Sequence, residues 1–198
     1  MLRYAISLLV LFSLVFVSCV MSLYPLTENE KDIVFKKELL GRWKETNDHN
    51  EYIVDTGASG YKSYRVTLIG KAIEPKRTVD TSYFLVMLVH LKDHYYLDCM
   101  PDTSQLAYSR IGDWNKSLLF PCHFIIRLYS FEKYFIMSAL DPHELLLLLK
   151  NKKVIMKHER IENEKILLME KPEILQQKIL GLEYYPTVYN KDTLTRIQ

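Results

Sequence analysis

The chain has 198 residues, with 26 Lys and Arg against 24 Asp and Glu and a formal net charge of +2. Charge so close to neutral argues against nucleic acid as a partner, and the length fits one domain with a sizeable core. Arg3 opens the chain with a short positive region, and Ala5 to Val17 follows as an uncharged run of thirteen residues rich in Leu, Val and Phe. A bilayer-spanning helix needs about 20 apolar residues, so the run reads as the apolar part of a secretory signal peptide over 1–18. Its removal takes away Arg3 and no acid, and the mature chain stays near neutral. Residues 19–32, with Pro25 and the polar stretch Glu28 to Asp32, are expected to be an anchor and tether, and 33–198 a single β-rich domain.

The strands come in series. Trp43 to Thr46 and Glu51 to Asp55 are brief, and Tyr61 to Ile69 alternates Tyr64, Val66 and Leu68 with Arg65 and Thr67, the period-2 pattern of a half-buried strand. Phe84 to Leu91 and His94 to Met100 flank Lys92 and Asp93, which predicts a tight hairpin. Cys122 to Ser130 and Tyr134 to Leu140 form a second pair, giving an antiparallel meander in sequence order. A helix is expected from Pro142 to about Lys150, with Asp141 as N-cap, Pro142 at the first helical position and Glu144 closing a capping box. Leu145 to Leu149 covers every face of that helix, which suggests a buried element or a plug for an apolar opening. Val154 to Glu159 and Lys165 to Met169 read as strands. A last helix begins near Pro172, carries Ile174, Leu175, Ile179 and Leu180 at helical spacing, and ends at Gly181. No internal repeat, low-complexity tract or domain linker interrupts the chain.

Two resemblances add to this reading. The order Phe16, Val17, Ser18, Cys19 resembles the lipobox of bacterial lipoproteins, with Phe16 in place of the usual Leu. It implies that Cys19 is diacylated and becomes the first residue after cleavage, so that the membrane is reached through a lipid. Val20 is not the Asp that retains such proteins in the inner membrane, which favours the outer membrane, and no acidic run follows Cys19, which favours the periplasmic face. Cys99 and Cys122 are then the remaining thiols. An oxidising periplasm permits them to form a disulfide, and the alternative is that both are small buried hydrophobes. The second resemblance begins at "LLGRWKE", Leu39 to Glu45, where Gly41 and Trp43 match the glycine-any-tryptophan opening of lipocalin-type barrels. With "YYLDCMPD", "FPCHFI" and "LDPHELLLLL" the chain is similar to a group of uncharacterised Gram-negative lipoproteins with a lipocalin-like, calycin-type domain. The resemblance implies a mainly β fold with two α-helices, an up-and-down meander forming a barrel or half-barrel. It implies no particular activity.

Chemistry has to be sought in sites. "IVDTGAS", Ile53 to Ser59, resembles the Asp-Thr-Gly turn of aspartic proteases, which need two carboxylates sharing a proton. One such turn would require a homodimer using Asp55, and the competing reading is a glycine-rich hairpin loop. His90 and His94 flank a hairpin without a cysteine or carboxylate cluster beside them. Cys122 and His123 are strand neighbours that point to opposite faces. No nucleophile elbow, phosphate loop or zinc signature occurs, so no enzyme activity, metal or cofactor is expected. If the barrel interior is left unfilled, Tyr64, Val66, Leu68, Val86 and Leu88 line an apolar pocket for one small hydrophobic ligand. The alternative from another class is an envelope-assembly module that binds a protein partner on the outer face of the sheet.

Overall fold

The computed structural model describes residues 19–46, 50–57, 62–70, 81–104, 122–131, 134–161 and 165–197. Two short strands come first, β1 (Val20–Ser22) and β2 (Ile33–Val34), followed by β3 (Gly41–Glu45), β4 (Glu51–Thr56), β5 (Ser63–Ile69), β6 (Thr81–Leu91), β7 (His94–Pro101), β8 (Phe124–Ser130) and β9 (Tyr134–Leu140). Helix α1 (Pro142–Lys150), strands β10 (His158–Ile161) and β11 (Lys165–Leu168) and helix α2 (Pro172–Leu182) precede the last strand, β12 (Tyr189–Arg196). Strands β3 to β9 pair antiparallel in sequence order, and β12 fits between β9 and β3. The result is a closed, eight-stranded, up-and-down barrel of the lipocalin-like kind. Closure leaves no barrel edge exposed for association with other chains.

Alternation along the strands gives the wall two apolar faces. Tyr64, Val86 and Leu97 point inward with Trp43, Leu128 and Leu194. Val89, Leu91 and Tyr96 point outward, yet they are buried too. Covering them are α1, α2 and a three-stranded sheet in which β1 runs parallel to β11 and β10 antiparallel to it. The excursion between β9 and β12 therefore builds a second core on the outside without opening the barrel.

Several expectations change. Residues 20–32 do not hang free as a tether: Val20, Ser22, Leu26 and Thr27 are buried, and β1 is part of a sheet. The polar composition there hides an apolar residue every few positions, enough to dock the segment. Strand β12 was not expected, because Asn190, Lys191 and Asp192 interrupt its pattern and only Tyr189 and Leu194 are buried. The strand expected over Val154 to Glu159 begins later, at His158. Gly181 lies within α2, which ends at Leu182. At α1 the Asp141 side chain accepts from the Glu144 N–H at 3.0 Å, but the Asp141 N–H donates to the Val188 carbonyl at 2.7 Å, so the capping box is only half made. The leucine run of α1 plugs no opening. Leu145 and Leu148 pack into the outer cluster and Leu147 faces solvent.

Candidate functional site

The barrel interior holds a partly open cavity of about 320 Å³, at the lower end of the range of roughly 300–1,000 Å³ for small-molecule sites. Tyr64, Val66, Leu68 and Val86 line it, as the alternation along β5 and β6 requires. Leu88 is fully buried in the same interior cluster but does not reach the lining. Residues that the sequence pattern did not single out complete the wall, among them Phe124, Ile126, Phe135, Met137 and Leu194. Strands β8 and β9 were legible, but nothing in their sequence said which alternate set faced the cavity.

No charged side chain is among the lining residues. The Tyr64 hydroxyl is already engaged, accepting from the Lys36 N–H at 2.6 Å and donating to the Lys36 carbonyl at 3.1 Å. Burial pushes the Tyr64 phenol up, with the Lys36 N–H opposing. Burial also drives the Cys99 thiol far above its ordinary range, with the Asp98 carboxylate adding to the effect. Such a wall suits an uncharged, apolar guest.

One end of the barrel is closed by a specific assembly. The Trp43 indole, wholly buried, donates to the Leu39 carbonyl at 3.0 Å and meets the Phe135 ring edge-on at 4.7 Å. Arg196 lies over the Trp43 ring at 4.4 Å and donates to the carbonyls of Leu40 and Glu38 at 3.1 and 2.6 Å. Gly41 makes room for it: its φ is +124°, and a Cβ there would sit 2.9 Å from Arg196 Nη1. The glycine and tryptophan singled out in sequence thus act with an arginine 153 positions beyond Trp43, which no local signal linked to them.

Toward the other end the lining includes Cys19, Val20, Ile125 and Leu140. Cys19 is held in place by its backbone, its carbonyl accepting from the Ile166 N–H at 3.0 Å. Ser22 exchanges two backbone hydrogen bonds with His123, at 2.7 and 2.8 Å, and the Leu26 N–H donates to Asp98 Oδ2 at 2.7 Å. Asp98 Oδ1 lies 2.6 Å from His123 Nδ1, so one buried carboxylate clamps both the N-terminal segment and the start of β8. Burial raises the Cys19 thiol, which Lys165 opposes and Cys122 reinforces, and burial raises Cys122 as well.

The remaining sequence candidates stand apart from the cavity or serve it differently. Cys99 and Cys122 are both free thiols, so the disulfide weighed between them is absent. The register sets Cys99 opposite Phe124, two residues past Cys122, with its side chain turned into the barrel. Asp55 is an exposed residue within β4, opposite Arg65. The Gly57 N–H donates to the Ser63 carbonyl at 2.8 Å, and a Cβ on Gly57 would collide with Ser63, which is the requirement of a tight hairpin approach. His90 stacks on Tyr95, while His94 Nδ1 accepts from Arg127 Nη2 at 2.7 Å, so the two histidines serve different neighbours. Arg127 also donates through Nε to Glu183 Oε1 at 2.7 Å, an oxygen that accepts from the Tyr96 hydroxyl at 2.8 Å. This network ties the end of α2 to the outer wall, and sequence reading missed it.

Among the described residues no cluster of His, Cys, Asp and Glu is arranged to hold a metal ion, and no helix is long and apolar enough to cross a membrane. Compared with protein-family models, with curated proteins and with solved structures, the chain matches none.

Proposed function

We propose that the chain is an acylated cell-envelope protein, anchored through Cys19, whose barrel takes up a small uncharged apolar molecule. The single observation that carries the binding part is the cavity of about 320 Å³ with its apolar wall. Eight strands give an interior just wide enough to hold one small ligand when side chains leave it unfilled. Binding rather than turnover suits a lining made of apolar surface without a charged side chain.

The anchor part rests on the order of Phe16 to Cys19 behind an apolar run, and on the likeness to Gram-negative lipoproteins. Two acyl chains hold a protein stably on a bilayer, at about 0.8 kcal/mol per buried methylene. Val20 favours the outer membrane and the absence of an acidic run favours its periplasmic side.

The test is mass spectrometry of the protein purified from native envelopes, intact and after organic extraction. Acylated Cys19 with apolar material in the barrel, either released on extraction or held there by its bond to Cys19, is the expected result. Acylation without any bound or cavity-held lipid points instead to a protein-interaction module, and an unmodified mature chain removes the anchor.

A further inference from the structure

We infer that the cavity's occupant is the protein's own anchor: one acyl chain on Cys19 folds back into the barrel while the other stays in the bilayer. The inference rests on the acylation of Cys19 proposed above and names the guest of that same site. Its first ground is position. Cys19, the residue that would carry the lipid, lines the cavity, beside Val20, Ile125 and Leu140. Its second ground is the lack of slack. Residues after Cys19 enter β1 directly, with Val20 opposite Ile166, Ser22 bonded to His123 and Leu26 held by Asp98. An anchor that begins on Cys19 therefore begins at the cavity wall, without a spacer to carry it away.

The chemistry of the guest matches. A hydrocarbon chain is uncharged, asks for no hydrogen bond, and exchanges one apolar surrounding for another when it moves from bilayer to barrel. The wall it would meet, including Val66, Val86, Leu97 and Phe124, offers no charged group. A functional consequence follows from counting chains. Two hold a protein stably, whereas one gives only marginal, reversible binding. With one chain in the barrel the protein is releasable; a competing apolar ligand expels that chain and fixes the protein to the membrane.

The experiment feeds a diazirine-bearing palmitate analogue to cells making the full chain, irradiates native envelopes, and maps the cross-links by mass spectrometry. Cross-links from the Cys19 lipid to peptides carrying Val66, Val86 or Phe124 are the expected result. Label on Cys19 that inserts only into membrane lipid overturns the inference, and the anchored binding barrel still stands if a separate apolar molecule is extracted. Absence of label from Cys19 overturns the inference and the anchor together. A second measurement uses the acylated double variant Val66→Phe/Val86→Phe, checked for folding by its unfolding curve, on vesicles of phosphatidylethanolamine and phosphatidylglycerol. Filling the cavity is expected to lengthen retention by about tenfold or more, since both chains are then left in the bilayer. Retention equal to that of the parent protein overturns the release mechanism.

Discussion

The two faces of one wall behave differently. Inside, β5 to β9 present large apolar side chains that meet at one end, around Trp43 and Phe135, and leave about 320 Å³ empty elsewhere. Outside, the same strands carry Val89, Leu91 and Tyr96 into a cluster with Leu145, Ile166, Leu175 and Ile179, completed by a buried ion pair between Arg127 and Glu183. The outer face holds accessory elements in register, among them the segment that fixes Cys19, and the inner face keeps room. A barrel that were merely a scaffold would have no reason to leave such a space within.

The largest expected effects fall on the outer face, and the first of them is on its polar network. Arg127→Ala leaves Glu183 without its cation and Tyr96 with a poorly compensated neighbour, and is expected to cost about 3 kcal/mol, the low end for breaking a buried pair because Glu183 keeps some contact with water. Urea denaturation measures it. A cost below about 1 kcal/mol, the level of a surface pair, would mean that α2 is not held as described.

Packing itself gives the next contrast. Ile179→Ala in the outer cluster should cost about 3 kcal/mol, because Ile179 is fully enclosed and its removal opens a cavity. Val86→Ala should cost about 1 kcal/mol, since its methyl groups already border empty space. Equal costs at the two sites would mean that the interior is filled. At the closed end, Gly41→Ala is expected to lose about 1–2 kcal/mol through its positive φ and its approach to Arg196. Arg196→Ala in the same background should then add little, because the alanine already displaces the guanidinium from Trp43.

Much of this contrast could be read from the residues, but only on one side. Tyr64, Val66, Leu68 and Val86 alternate cleanly, and that periodicity placed them on a cavity wall. Gly41 and Trp43 marked the closed end. The outer face was hidden because its burial depends on elements distant in sequence: Asp98, His123 and Leu26 lie on three segments and meet only in the folded chain. Strand β12 was invisible for a related reason. Its neighbours β3 and β9 supply most of the apolar surface, so Asn190, Lys191 and Asp192 can face water without weakening the ladder. The docking of residues 20–27 buries one large apolar side chain deeply, Leu26, with the small polar Ser22 and Thr27 beside it, a signal too sparse to distinguish from a tether.

Titration offers the finest separation of the two faces, with an effect that is nil at neutral pH. Cys99 looks inward, whereas Tyr96 and Tyr189 look outward, and burial raises all three groups; donation to Glu183 raises Tyr96 further. Each stays protonated in the fold while the unfolded chain ionises, so the unfolded state binds fewer protons once its own pKa is passed, and stability falls as pH rises. The contribution is fully present below the unfolded pKa, about 8.5 for Cys and about 10 for Tyr. Stability should therefore be flat up to about pH 8.5, then decline by about 1.4 kcal/mol per pH unit through Cys99, and more steeply above about pH 10 as the tyrosines join. Cys99→Ala should remove most of the first decline, leaving the smaller part that partly buried Cys122 contributes, and should leave the second. If the first decline were missing from the parent protein, Cys99 would be ionising in the native state, which requires water in the cavity, and an apolar guest would lose its dry site. Alkylation by iodoacetamide under native conditions gives the independent check, with Cys99 expected to react more slowly than Cys122 because it is buried and Cys122 is only partly so.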